Sequence, residues 1–219
     1  MKHRLLLLAL AFLILLLPRS AWATLRVVAT VPTLAALAKE LGGSHVQASS
    51  LALPSQDPHF VDAKPSLALD LNKADLLLVV GLGLESGWLP VLQTGARNAK
   101  IQVGGEGYLD CSAFARLLDK AKSVDRSEGD IHPGGNPHYL YDPRQIEQVA
   151  VGVAARLSEL DSDHSGDYNK QLGTFLKKLH KLRHKLQKQT EIHRGAGVVA
   201  YHKSWVYLTD WLGLEQVAF

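Results

Sequence analysis

An α/β fold built on a largely parallel sheet is predicted by three features of the sequence. Short apolar runs alternate with longer stretches of helical periodicity. The run Ala74-Asp75-Leu76-Leu77-Leu78-Val79-Val80-Gly81 is almost continuously apolar and ends on glycine, the pattern of a strand covered by helices on both faces. Prolines open several helical stretches and glycines close them, Pro32 with Gly42-Gly43 being the clearest case.

The N-terminus stands apart from this pattern. Lys2, His3 and Arg4 precede an apolar run of 13 residues, Leu5 to Leu17, which Pro18 breaks before the small residues Ala21 and Ala23. The run is short for a bilayer span, so residues 1–23 are expected to be a cleaved secretory signal. The mature chain, about 196 residues from Thr24, is then expected to work in the periplasm, and no cysteine follows the apolar run to carry a lipid.

Each element follows from its residues. Leu25 to Thr30 reads as a first strand, and Pro32 starts a helix through Leu34, Leu37, Ala38 and Leu41. Val46 to Leu51 is a second strand, and Pro65 opens a helix to about Lys73 behind the weak cap Lys64. The strand at 74–81 follows, then a helix over Trp88 to Ala96 and a fourth short strand at Ile101 to Val103. Residues 119–137 are polar and aperiodic, a surface loop in which His132 is expected to be an exposed histidine and no ligand. Asp142-Pro143-Arg144-Gln145 supplies a cap, a first-turn proline and a third-position glutamine for a helix to about Leu160.

A longer helix is predicted from about Ser165 to Thr190. Leu172, Phe175, Leu176, Leu179, Leu182 and Leu186 form its apolar stripe, and lysines and arginines fill a face expected to be solvated. His180 and His184, four apart on it, lack a third ligand in register. Val198 to Tyr201 is a new strand, Ser204 to Leu212 a helix stopped by Gly213, and Leu214 to Phe219 a further apolar run. The single cysteine, Cys111, excludes an intramolecular disulfide framework and reads as a small core residue. The net charge of +3 is thinly spread, so nothing in it demands nucleic acid.

Three histidines carry the chemistry. His59 and His138 each follow a proline, in Asp57-Pro58-His59 and Asn136-Pro137-His138-Tyr139, so each ring sits on a stiff bend at the end of an element. His202 lies in Tyr201-His202-Lys203-Ser204-Trp205, between a strand and a helix. Three imidazoles at such junctions suit a nitrogen-rich metal site.

These stretches, with Asp142-Pro143, Lys73-Ala74-Asp75-Leu76 and Val206-Tyr207-Leu208 ahead of Gly213-Leu214-Glu215, resemble the metal-specific substrate-binding proteins of zinc and manganese ABC transporters. The resemblance spans the mature chain in the family's order. It implies a monomeric two-lobed α/β protein with metal in the cleft: an N-terminal lobe at residues 24–162, a linking helix at 163–194 and a second lobe from 195. His59 and His138 would come from the first lobe and His202 from the second, with Asp57, Tyr139 and Asp142 as partners orienting the rings. Asp142 reads equally as a helix cap alone.

Family members complete the site with a carboxylate far into the second lobe. Here Asp210 and Glu215 are the only carboxylates after His202, and neither stands where that ligand would. The second lobe is therefore expected to be incomplete, the chain a fragment or a truncated product, and water the fourth ligand. Three nitrogens favour Zn2+ over Mn2+. The implied function is capture of the ion outside the cytoplasm and delivery to a membrane permease. A metal-binding adhesin or buffer without a transport role is the alternative. A zinc hydrolase would need a motif such as H-E-x-x-H, which the chain lacks.

Imidazole ligation requires neutral rings. Zinc affinity is accordingly expected to fall as pH drops toward and below about 6.5. Titrations at neutral and mildly acidic pH check this, and equal affinity at both contradicts histidine ligation.

Overall fold

The computed structural model describes residues 24–119 and 132–218, so the expected signal segment lies outside the described residues. Strands β1 (Leu25–Ala29), β2 (Val46–Ser50), β3 (Leu76–Val79) and β4 (Tyr108–Asp110) form one sheet in the order β2-β1-β3-β4. Every pairing in it is parallel. Parallel neighbours need crossovers rather than tight turns. Helices α1 (Pro32–Gly42), α2 (Pro65–Asn72) and α3 (Leu89–Ala96) provide them.

Side chains alternate across the strands, so the sheet feeds two cores. On one face Val27, Ala29, Leu76 and Leu78 meet Leu34 and Leu41 of α1 and Val149, Val153 and Leu157 of α4 (Pro143–Leu160). On the other Val28, Leu77 and Val79 meet Leu71, Leu89, Leu92 and Ile101. All four residues of β3 are buried, as a strand covered on both faces requires. Cys111 is a buried free thiol in the first core. The start of α4 follows the expected design: Asp142 accepts from the Arg144 amide at 2.7 Å, and Pro143 occupies the first position.

The fourth strand is a correction. Ile101 ends a short 3-10 turn (Ala99–Ile101) capped by Asn98, Val103 is exposed, and β4 begins only at Tyr108. The intervening glycines explain the shift. Gly107 passes so close to the Asp75 carbonyl that a β-carbon would collide with it, and its own carbonyl accepts from Leu77 to start the ladder. Leu109, rather than Val103, then reaches the core.

Helix α5 (Ser165–Thr190) has the predicted span, about 39 Å at 1.5 Å per residue. Its stripe is less covered than its periodicity suggests: Tyr168 and Leu179 are buried, and Leu182 remains 51% exposed. Its cations pair with carboxylates of α1 and α4, Lys178 with Glu40 at 2.7 Å and Arg183 with Glu147 at 2.9 Å. His180 is held by the same Glu147 at 3.0 Å.

Beyond α5, β5 (Gly197–Val199) and β6 (Glu215–Ala218) pair in parallel across α6 (Val206–Leu212), apart from the first sheet. Gly213 closes α6 in the left-handed region, at φ 67°. Helix α6 sends Tyr207 into the first core, where its hydroxyl donates to the Asn136 carbonyl at 2.9 Å and accepts from the Leu118 amide at 3.0 Å.

The segment after β3 turns sharply. Gly81, Leu82 and Gly83 all have positive φ, and Gly81 lies too close to Asp110 for a β-carbon. Glu85 folds back into this turn and is 3% exposed. It accepts from the Thr30 hydroxyl at 2.6 Å, the Val80 amide at 2.8 Å and the Gly81 amide at 3.1 Å. Burial raises the Glu85 carboxyl above its ordinary pKa, and these donors only partly offset that. A carboxyl raised in the folded state stabilises most below its unfolded pKa, and that contribution is lost as pH rises through the folded value. Glu85→Gln places an amide NH2 against a backbone donor. It is expected to cost about 1–3 kcal/mol in urea unfolding at mildly acidic pH, with the wild-type advantage shrinking as pH rises.

Candidate metal centre

Strand order reverses between β1 and β3, and ligand crevices in open parallel sheets lie outside the carboxyl ends at such a point. A pocket of about 410 Å³ opens there, lined among others by Val31, Leu53, Pro58, Val80, Pro137 and His138.

His59 stands on the loop from β2 to α2. The Asp57 carboxylate accepts from the His59 amide at 2.9 Å and pairs with ring Nδ1 at 2.7 Å. The partial burial of Asp57 pushes its carboxyl up, but the His59 hydrogen bonds and the charges of His59 and His138 outweigh that and hold it below the ordinary value. The Trp88 indole donates to the Pro58 carbonyl at 2.9 Å and pins the loop.

His138 opens a 3-10 turn (His138–Tyr141) that leads into α4. Its amide donates to Asn136 Oδ1 at 2.9 Å. The adjacent Tyr139 is buried and donates to the Val80 carbonyl at 2.8 Å. The His59 and His138 ring centroids are thereby 5.3 Å apart.

His132 is a correction. It is half-buried rather than exposed, with Nδ1 at 3.0 Å from the Leu82 carbonyl and Nε2 at 3.4 Å from Nε2 of His59. A polar, aperiodic stretch predicts exposure from composition alone. The ring is drawn inward by a carbonyl that the left-handed backbone of Leu82 presents, at φ 56°.

His202 is exposed, with its ring against Tyr201 at 4.5 Å between centroids. Its backbone is nonetheless tied to the first unit. Asn136 Nδ2 donates to the carbonyl of Lys203, the next residue, at 2.8 Å, and Trp205 packs on Tyr141 at 4.8 Å. Among the described residues no three His, Cys, Asp or Glu side chains stand close enough to hold an ion as they are.

The expected orienting residues divide. Asp57 bonds His59 directly. Tyr139 directs its hydroxyl to Val80, and Asp142 directs its oxygens to Arg144, capping α4. Asp210 is held by Arg116 at 3.1 Å and by Arg144. Sequence reasoning missed Glu85, Trp88 and Asn136. A lone acid after Gly81-Leu82-Gly83-Leu84, in an otherwise apolar stretch, was the available signal for Glu85.

An open parallel sheet with imidazoles at its switch point, a long helix and a smaller α/β unit define a two-lobed binding-protein fold. Its likeness to solved proteins is close: a crystal structure of ZnuA superposes with TM-score 0.74 at 24% identity, covering 89% of this chain and 70% of that one. A zinc-bound ZnuA deletion mutant gives 0.76 at 23% identity, over 90% and 70%. The chain belongs to the family described as zinc-uptake complex component A, periplasmic, whose match runs over residues 27–219.

Among curated relatives, the high-affinity zinc uptake system protein ZnuA of Paracoccus denitrificans is 27% identical over 210 residues, 87% of this chain and 64% of the relative. The manganese ABC transporter substrate-binding lipoprotein scaA of Streptococcus gordonii is 28% identical over 164 residues, 73% and 49%. The chain thus spans about half to two-thirds of the length of these relatives. Their names describe uptake and binding proteins, and none describes an enzyme. Among the described residues no helix is long and apolar enough to cross a membrane.

Proposed function

We propose that this protein captures a divalent transition metal, zinc in preference to manganese, outside the cytoplasm and hands it to the membrane permease of an ABC transporter. In this reading residues 1–23 direct secretion, the unit at 24–162 and the unit from 195 form the two sides of the site, and the helical segment 163–194 joins them. The protein works as a periplasmic monomer. His59, His138 and His202 are the ligands, and Asp57 orients His59.

The observation that carries the reading is the double use of Asn136. This buried side chain accepts from the His138 amide with its oxygen and donates to the Lys203 carbonyl with its nitrogen. It therefore couples the backbone of one proposed ligand to the backbone next to another, although 64 positions separate His138 from His202. The proximity of the His59 and His138 rings supports the rest. Neutral imidazoles suit zinc at about 2.0–2.1 Å, whereas manganese favours oxygen donors. The relatives named for zinc and for manganese fit the same class of cargo.

Zinc affinity, measured by competition against a chromophoric chelator, tests the assignment. His59→Ala, His138→Ala and His202→Ala are each expected to weaken binding by more than about 100-fold, because loss of an outer partner alone costs about 10–100-fold. Wild-type affinity in all three variants refutes the site. Asp57→Ala removes the acceptor for His59 Nδ1–H and is expected to weaken binding by about 10–100-fold. Asn136→Ala is expected to lower affinity with both ligand rings still present, and an unaltered affinity there removes the support for His202.

A further inference from the structure

The chain's net charge of +3 hides one concentration of positive charge. Residues 168–190, nearly all of α5, hold seven of the 24 lysines and arginines and none of the 21 aspartates and glutamates. That leaves 17 cations against 21 acids elsewhere, so the remainder is net acidic.

Helical periodicity sorts these seven cations. Lys178 and Arg183 reach Glu40 and Glu147 on the packed side. Lys170, Lys177, Lys181, Lys185 and Lys188 are exposed, and among the described residues none of them makes an ion pair. Their spacing puts them on one face, opposite Leu172, Phe175 and Leu179, which meet the first core. From Lys170 to Lys188 the row is about 27 Å long.

Solvation alone does not favour such a face. Like charges four positions apart, as in Lys177 with Lys181 and Lys181 with Lys185, destabilise a helix, whereas acids set among them would stabilise it. The face carries no such acid, so its countercharge comes from outside the helix. The residue type narrows the partner. Arg183, the one arginine of α5, is turned inward to Glu147, and the outer row is all lysine with no aromatic side chain. Protein interfaces favour arginine and aromatic anchors and are depleted in lysine. A hydrated ammonium on a flexible stem instead suits a diffuse layer of phosphates.

We infer that this lysine face docks the protein reversibly on a membrane surface bearing anionic phospholipid headgroups. This surface role rests on the capture reading above, which puts the protein beside a membrane permease. Each lysine near an anionic bilayer strengthens attachment by about 5-fold, and salt weakens it by screening. Several such contacts hold a carrier near the membrane without fixing it there, so it reaches its permease by moving along a surface.

The test measures co-sedimentation of the full chain with vesicles of phosphatidylcholine alone or of phosphatidylcholine with phosphatidylglycerol. Residues 1–23 contribute equally in every variant. Wild type is expected to bind the anionic vesicles more tightly, and to lose that preference as salt rises. Replacing Lys177, Lys181, Lys185 and Lys188 together with glutamine is expected to weaken anionic-vesicle binding by roughly 100-fold or more. Replacing the same four with arginine is expected to retain it. Glutamine at Lys39, Lys64, Lys73 and Lys100, exposed lysines off this helix, changes net charge equally and is expected to leave binding near wild type. Equal binding to both vesicles, wild-type binding by the α5 glutamine variant, or an equal loss in the control variant overturns the inference. So does binding to soluble polyglutamate without binding to vesicles. Zinc titration of the same variants separates the two readings. Zinc held at wild-type affinity with no vesicle preference removes only the membrane surface, whereas vesicle binding by a chain that holds no zinc removes only the capture reading.

Discussion

The buried carboxyl of Glu85 fixes the turn from which the first unit's part of the site hangs. It gathers a hydroxyl from the end of β1 and two amides from the end of β3, so the crevice between the central strands has a defined floor. The backbone it holds includes Leu82 at φ 56°, a conformation that costs a non-glycine residue roughly 1–2 kcal/mol. Three fastenings lead from this turn to the histidines. The Val80 carbonyl holds Tyr139 beside His138, the Leu82 carbonyl meets the His132 ring, and the Trp88 indole secures the Pro58 carbonyl ahead of His59. Segments more than 70 positions apart in the chain are thereby referred to one stretch of nine residues, 80–88.

The second unit is attached through polar atoms at equally definite points. Tyr207 is buried, stacks edge-on against Tyr139 at 6.4 Å, and shares its hydroxyl between the Asn136 carbonyl and the Leu118 amide. Asn136 completes the joint from the other side by holding the Lys203 carbonyl. A buried hydrogen bond contributes little net stability, but leaving one partner unmet is costly, so such joints select one arrangement. The arrangement selected brings the His202 turn beside the Asn136-Pro137-His138 turn.

Most of the fold was legible because its signals are local. Proline at first helical positions, glycine after last ones and the unbroken run in β3 placed the helices and three of the four first-sheet strands within about two residues. The miss at Ile101 to Val103 came from reading an apolar triplet without the glycines that follow it. Those glycines defer the ladder to Tyr108, and only the close approach at Gly107 reveals why. His59 and His138 were legible through their prolines. His132 was not, because its position depends on a carbonyl 50 residues away, and no periodicity encodes that. Glu85 and Asn136 were hidden for the same reason: their partners are backbone groups brought together only by the sheet.

The two sides of the site differ in how far their geometry is set in advance. His59 and His138 are half-buried, and the His59 ring is held by the Asp57 carboxylate 2.7 Å from its Nδ1, so its orientation is largely set. His202 is exposed and is positioned only through the backbone of its neighbour. Ordering a ligand costs conformational entropy at the moment of binding, and a ring already fixed has little left to lose. In the proposed site, affinity would therefore reside chiefly on His59 and His138, and the freer His202 ring would move on and off the ion without disturbing the sheet. A carrier needs that asymmetry: a ligand set rigid throughout would bind more tightly and release more slowly, whereas one adjustable ligand gives the ion a route out through a single side-chain motion.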